Sequence, residues 1–401
     1  MLYRMTGDAK YLDFCRCIVA AYEGPHGPRL VTSLSTHGSV QRTANAKAYE
    51  MLSNLVGIAD LYRLTGDRAL IVPPTAAWKD IVAHRLYVTG SASHGEHFQP
   101  DGILPGSGDV GEMCVTVTWM QLNWQLLRLS GEAKYGDALE QTVYNALLGA
   151  QNPATGSICY FTPLMGRKPY GTHVQGVQGV NCCISSGQRG VALIPSVAWG
   201  TLAGGPAVVL YTPGKAVFPL TADGSPIDVT LVSKTQYPLD GRVQLTVEME
   251  RPAAFPVSLR VPSWCAKYTA TAGGKQYAGK PGEFLVIQRT WQPGDQIRID
   301  MDMTVRVLPG GLSYPKSFAI QRGPQVLALD DKLARQAGPA PTWERPAPGA
   351  KLRLRPAADL LPAGWIGSQA YTIEGQEPAA VLLPFADAGQ TGGNCRVWLG
   401  Q

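Results

Sequence analysis

The chain's 401 residues exceed one average domain, and with 45% apolar and 16% charged residues it reads as a globular protein able to bury more than one core. A net charge of +5, spread without Lys or Arg runs, argues against a nucleic-acid or membrane-surface binder, and no apolar run reaches the roughly 18 residues that span a bilayer. Eight cysteines, at 15, 17, 114, 159, 182, 183, 265 and 395, are too sparse and uneven for a disulfide scaffold, and no export signal follows Met1, so a reducing, cytoplasmic setting is expected if Met1 is the true start.

One phrase recurs three times: "LYRMTGDAKY" from Leu2, "LYRLTGDRAL" from Leu61 and "LLRLSGEAKY" from Leu126. Each copy ends an apolar helical stretch at a glycine, Gly7, Gly66 or Gly131, and restarts after an acidic residue, which predicts αα-hairpins in series. "AYEMLSNLVGIADLYRL" from Ala48 and "VTWMQLNWQLLRL" from Val117 carry apolar residues at spacings of three and four, as core-facing helices do. The expected fold is therefore α + β and multidomain: a partial α/α toroid of helical hairpins over 1–200, its N-terminal half missing, then antiparallel β-sandwich domains over 201–310 and 311–401. From about Ala207 the pattern changes to short alternating segments, "AVVLYTP", "PIDVTLVS", "RVQLTVEME", "PVSLRVPSW", "FLVIQRTW" and "QIRIDMDMTVRVL", bounded by Pro and Gly. "SFAIQRGPQVLAL" and "NCRVWLGQ" extend it, and the Pro-rich stretch 338–362 is expected to be an exposed loop.

Three short stretches could carry chemistry. In "GDVGEMCVTV", Glu112 and Cys114 lie two apart ahead of a helix; on an extended entry they would point to one side, on a helix they would diverge. In "VQGVNCCISSG", Cys182 and Cys183 are neighbours. Across a trans peptide their Cα atoms are about 3.8 Å apart, shorter than the roughly 4.4–6.8 Å of ordinary disulfides. Together the two stretches offer one carboxylate and three thiols, a donor set suited to tetrahedral zinc, although adjacent ligands are expected to need an irregular loop, with Gly179 and Ser185-Ser186-Gly187 permitting it. In "SASHGEHFQP", His94 and His97 are further candidate ligands, and Glu96 is a general acid if partial burial raises its pKa toward neutrality. The His-x-Glu pair also occurs in zinc deaminases, but the Pro-Cys-x-x-Cys that should follow is missing.

The combination of Glu96, "GEMC" sixteen residues later, the Cys-Cys pair, "RVQLTV" and "RTWQPGD" in the β region and "AIQRGPQVLAL" beyond it resembles the β-L-arabinofuranosidase family, glycoside hydrolase family 127. The resemblance implies a retaining glycosidase acting on a β-L-arabinofuranoside or a related plant-derived sugar. It implies Zn2+ held by Glu112, Cys114, Cys182 and Cys183, with Cys182 also the nucleophile and Glu96 the acid/base. Tyr160, in "ICYFTPL", and His94 are expected to line the sugar pocket. A carbohydrate is then the partner, with no nucleic acid or membrane, and a homo-oligomer remains open. Two features are expected to set this chain apart: a start inside a hairpin, and Lys47 at a position where relatives are expected to carry histidine. The alternative is an inactive, zinc-stabilised carbohydrate-binding or structural remnant.

Overall fold

A computed structural model describes residues 2–171, 181–222, 224–334, 346, 352–376 and 380–400. Helices fill the first half: α1 (Leu2–Thr6), α2 (Ala9–Tyr22), α3 (Leu30–His37), α4 (Ala48–Thr65), α5 (Val72–His84), α6 (Met113–Ser130), α7 (Ala133–Gln141) and α8 (Cys182–Ala198). The repeated phrase does what its glycines predict. Gly66 and Gly131 cap α4 and α6 with φ of 71° and 69°, their N–H groups returning to Tyr62 and Leu127, and Gly7 bonds back to Tyr3 in the same way. Only glycine takes this left-handed cap without strain. Asp8 and Asp67 then accept from the backbone two residues on and start the next element.

α6 is the central helix of this region. Thirteen of its side chains are buried, and Leu52, Leu55 and Ile58 of α4, Trp78 and Ile81 of α5, Leu139 of α7 and Cys183 of α8 share one core with it. A helix that is apolar on nearly every side has neighbours on nearly every side. α2, by contrast, buries no residue and leaves Phe14 65% exposed.

Among the described residues the second half is antiparallel sheet with one parallel pairing, Gly205–Val208 beside Ala253–Arg260. A four-stranded sheet and a six-stranded sheet share a single buried cluster that includes Val257, Ile287 and Trp291 from one and Val229, Leu245 and Ile299 from the other. Alternation is strict where one face is wet: along Gln296–Met301 every second side chain is buried. The eight-stranded sheet draws Met165–Arg167 out of the helical half to pair with Asn394–Arg396. A π turn, Thr142–Leu147, presents Asn145 to that sheet, where it donates to the Pro324 carbonyl and accepts from Val326 N–H.

Several expectations need correction. "QIRIDMDMTVRVL" is two strands, Gln296–Met301 and Val305–Pro309, and they join different sheets. Gly214–Ala222, Tyr268–Ala272 and Lys275–Gly279 are further strands, beyond those expected from the alternating segments. Of the Pro-rich stretch 338–362, residues 338–345 and 347–351 lie outside the described residues, as does Gly179. The described end of the stretch is not all loop, because Leu354–Pro356 pairs with Tyr371–Ile373. Among the described residues no helix is long and apolar enough to cross a membrane.

Candidate active site and metal cluster

The two cysteine-bearing stretches meet at two helix N-termini. Glu112 is the residue before α6, with extended ψ of 132°, and its N–H donates to Ser93 Oγ at 3.2 Å. Cys114 is already one residue inside the helix. The extended or helical alternative is therefore resolved as a mixture: the bend at Glu112 lets its carboxyl turn back over the first turn that carries Cys114. The Cys-Cys pair is also helical, contrary to the expected irregular loop. Asn181 accepts from Ile184 N–H at 3.0 Å as an N-cap, and Cys182 and Cys183 open α8.

Glycines bring α8 close. A Cβ on Gly187 would lie 2.6 Å from Ile158, and one on Gly190 2.7 Å from both Leu147 and Val117. With both bare, α8 lies against α6 and Cys183 reaches Cys114, Sγ to Sγ 3.5 Å. Cys183 Sγ lies 3.8 Å from Glu112 Oε1 and 3.9 Å from Cys182 Sγ. One donor atom from each of the four residues falls within 4.8 Å of the others. Glu112, Cys114 and Cys183 are buried, and Cys182 is exposed.

The electrostatics of this cluster are unbalanced. Burial, then the charge of Cys114, pushes the Glu112 carboxyl up to about 8. Hydrogen bonds from Cys183 and Ser186 hold the Cys114 thiol below its ordinary value, while the same contact with Cys114 drives Cys183 up. Burial raises Cys182 as well. Four acidic groups thus crowd one another, and like charges at this range disfavour ionising all of them. Glu112 Oε2 is buried with no hydrogen-bond partner, a cost of roughly 1–3 kcal/mol for a polar atom in that position. Three soft sulfurs, one carboxylate with a free oxygen and two helix N-termini favouring anions form a donor set that fits a tetrahedral divalent cation such as zinc.

Glu96 occupies a loop clamped on both sides. Its carbonyl accepts from Ala48 N–H, Phe98 N–H donates to the Ala46 carbonyl, and Gly95 N–H donates to Asp109, tying the loop to the start of α4 and to the lead-in of α6. Glu96 itself is left-handed at φ 67°, as are Ala44 at 49° and Ala46 at 58°. Such non-glycine residues cost about 1 kcal/mol or more each and gather at functional sites. The Glu96 carboxylate is fully partnered: Oε2 pairs with Lys47 Nζ, and Oε1 accepts from the Tyr160 hydroxyl at 2.6 Å. Burial would push its pKa up, but the Lys47 ammonium and the Tyr160 hydroxyl outweigh burial and hold it below the ordinary value. The expected rise toward neutrality is overturned, because it counted burial without the cation facing the loop.

Tyr160 ties the two halves of the site together. Its carbonyl accepts from Met113 N–H at the start of α6, and its hydroxyl hydrogen-bonds Glu96 and favours ionisation of Cys182. The histidines are elsewhere occupied: His94 Nε2 lies 3.2 Å from the Ser107 carbonyl and His97 Nδ1 2.7 Å from that of Gly95, and among the described residues neither joins the metal-type cluster. Two contributors escaped the sequence reading. Ser186 Oγ lies 3.1 Å from Cys114 Sγ and accepts from Arg189. The signal for both was the helical spacing from Cys183, hidden by reading the segment as irregular.

Comparison with known proteins agrees with this geometry. Residues 1–196 match the family model of the β-L-arabinofuranosidase GH127 catalytic domain, and residues 207–303 that of the GH127 middle domain. The non-reducing end β-L-arabinofuranosidase of Bifidobacterium longum subsp. longum is 28% identical over 317 residues, 72% of this chain and 46% of that protein. The chain thus spans about half the length of this curated relative. Among solved structures, a glycoside hydrolase superposes with a TM-score of 0.82 at 21% identity, covering 100% of this chain and 73% of the other. A GH127 β-L-arabinofuranosidase from Geobacillus stearothermophilus T6 gives 0.79 at 22%, covering 100% and 70%. At these identities the superpositions speak for the fold. The two family matches together take in most of the chain, which belongs to glycoside hydrolase family 127, the β-L-arabinofuranosidase family.

Proposed function

We propose that the chain is a retaining glycoside hydrolase of the β-L-arabinofuranosidase type, acting on a β-L-arabinofuranoside or a related plant-derived sugar. The observation that carries this reading is the convergence of Glu112, Cys114, Cys182 and Cys183 near a carboxylate, Glu96, held by Tyr160, whose carbonyl also accepts from Met113 N–H at the start of α6. In this reading the helical half, 1–200, is part of an α/α toroid and holds the chemistry. The shared core of the four- and six-stranded sheets supports a β-sandwich over 201–310, with a second β-rich unit over 311–401.

Glu112, Cys114, Cys182 and Cys183 would hold Zn2+, whose charge, when bound, would keep the sulfurs as thiolates at neutral pH. Cys182 is the exposed member of the four and so the sulfur that a sugar can reach. In the first half-reaction its Sγ attacks the anomeric carbon; the C–S bond forms, the glycosidic C–O bond breaks, and Glu96 gives its proton to the departing oxygen. In the second, the Glu96 carboxylate takes a proton from water, the water oxygen bonds the anomeric carbon, and the electron pair of the C–S bond returns to Cys182. Two inversions give net retention, with sulfur in the place of the usual carboxylate nucleophile. Tyr160 orients Glu96 throughout. His94 borders the same loop and is proposed to line the sugar pocket.

Release of p-nitrophenol from its β-L-arabinofuranoside, with metal content measured on the same sample, tests the reading. Turnover that vanishes in Cys182→Ser is the expected result. A protein carrying a full complement of zinc yet inert toward furanosides would overturn it.

A further inference from the structure

The mechanism asks Glu96 to carry a proton, yet both of its oxygens face donors. Lys47 Nζ sits on Oε2 and the Tyr160 hydroxyl on Oε1. These donors are not equivalent. An ammonium has three N–H groups and no acceptor, whereas a phenol can give a hydrogen bond or receive one. A proton on Oε2 would therefore be forced against N–H, while a proton on Oε1 finds an oxygen able to accept it once the Tyr160 hydroxyl turns.

The pair is built, not incidental. Lys47 and Glu96 are 49 residues apart, joined by backbone bridges between Lys47 and His97 and between Ala48 N–H and the Glu96 carbonyl. Three of the five left-handed non-glycine residues among the described residues, Ala44, Ala46 and Glu96, lie in the two segments that these bridges join. Lys47 is 29% exposed and Glu96 18%, so the pair is partly screened from water. The other titratable groups around Glu96 are His97 on its own loop, Glu50 on α4, Tyr160, which itself faces Cys182 and Cys183, and Glu112, the residue before α6. Lys47 is the sole lysine or arginine within bonding distance of the Glu96 carboxylate among the described residues.

We propose that Lys47 is a positioning residue for the catalytic proton: by holding Oε2 it leaves Oε1, the oxygen shared with the Tyr160 hydroxyl, to carry the proton passed to the leaving group. The proposal rests on the glycosidase reading above. Its consequence is a site that loads its proton only at lower pH than a neutral residue at position 47 would allow, since an opposite charge at contact distance favours the carboxylate.

Infrared difference spectra of the full chain on acidification give both quantities needed. The C=O band of protonated Glu96, identified by its loss in Glu96→Gln, reports a titration midpoint, and its frequency reports the donor on the unprotonated oxygen. Lys47→Met should raise the midpoint by about one pH unit or more and move the band to higher frequency, because Oε2 loses its donor. Lys47→Arg should keep both near their original values and serves as the folded control. The alkaline limb of kcat/KM should move with the midpoint. An unchanged midpoint or an unmoved band in a folded Lys47→Met protein overturns the proposal. If both move while no variant hydrolyses a furanoside, the role of Lys47 in placing the proton stands and the glycosidase reading fails.

Discussion

Glu140 and Glu112 are both almost fully removed from water, at 1% and 3% exposure, yet their surroundings are opposites. Glu140, on α7 at the junction with the β region, accepts from Arg260 at 2.5 Å and Tyr237 at 2.7 Å on one oxygen and from Trp264 at 2.8 Å on the other. Arg260 also pairs with Asp137 and donates to the Val209 carbonyl. Nothing is left over, and that site reads as an anchor between helices and sheets. Glu112 has one oxygen 3.8 Å from a thiol and the other alone. A buried acid with all partners present holds a fold together; one with a missing partner, among three sulfurs, belongs to a donor set that could hold a metal ion.

Substitutions can break this contrast, beginning with the largest effect. Cys182→Ser should cut turnover at least about 10⁴-fold, near 5 kcal/mol of transition-state stabilisation, while thermal unfolding stays close to wild type; a loss of fold in step with activity would make Cys182 as structural as Glu140. Arg260→Met would give Glu140 the condition of Glu112, a buried acid without its cation. The expected loss is about 3–5 kcal/mol in a denaturant titration, and a change under 1 kcal/mol would show that the junction does not depend on the pair.

Glu112→Gln works in the reverse direction. It replaces a buried carboxyl, already held largely neutral by burial, with a neutral amide of the same shape, so the metal-free protein should melt close to the wild-type temperature while bound metal, about one ion per chain in the wild type, falls away; the same change at Glu140 should only destabilise. Smaller still is Ser186→Ala, which takes one hydrogen bond from Cys114 at a cost of about 0.5–1.5 kcal/mol, read as a modest drop in melting temperature. Asp387 is an intermediate case, pushed up to about 6 by burial and drawn back by Lys168. Because its folded pKa lies above its ordinary 3.8, its protonated form is the one the fold favours, and stability falls as pH rises from about 3.8 through about 6. Asp387→Asn should flatten stability across that window.

Much of the fold could be read directly. The three Gly-acidic phrases are local devices, each needing only a left-handed glycine and a short acidic or hydroxyl cap, so they were legible at Gly7, Gly66 and Gly131 before any contact was known. The strands with strict alternation, such as Arg242–Glu248, were equally plain. α8 was not: Gly187, Gly190 and Pro195 within seventeen residues hide its period, and the purpose of the glycines is visible only against Ile158, Leu147 and Val117.

The same division holds at the site. Residue types alone determined the set: one glutamate and three cysteines are a zinc-type donor group wherever the chain brings them together. Tertiary structure decided what each member can do. It set two helix N-termini against each other, left Cys182 as the exposed sulfur and Glu112 with an empty oxygen, and placed Lys47 on Glu96 from 49 residues away. Charge state depends on what stands within a few ångströms, and that distance is a property of the fold.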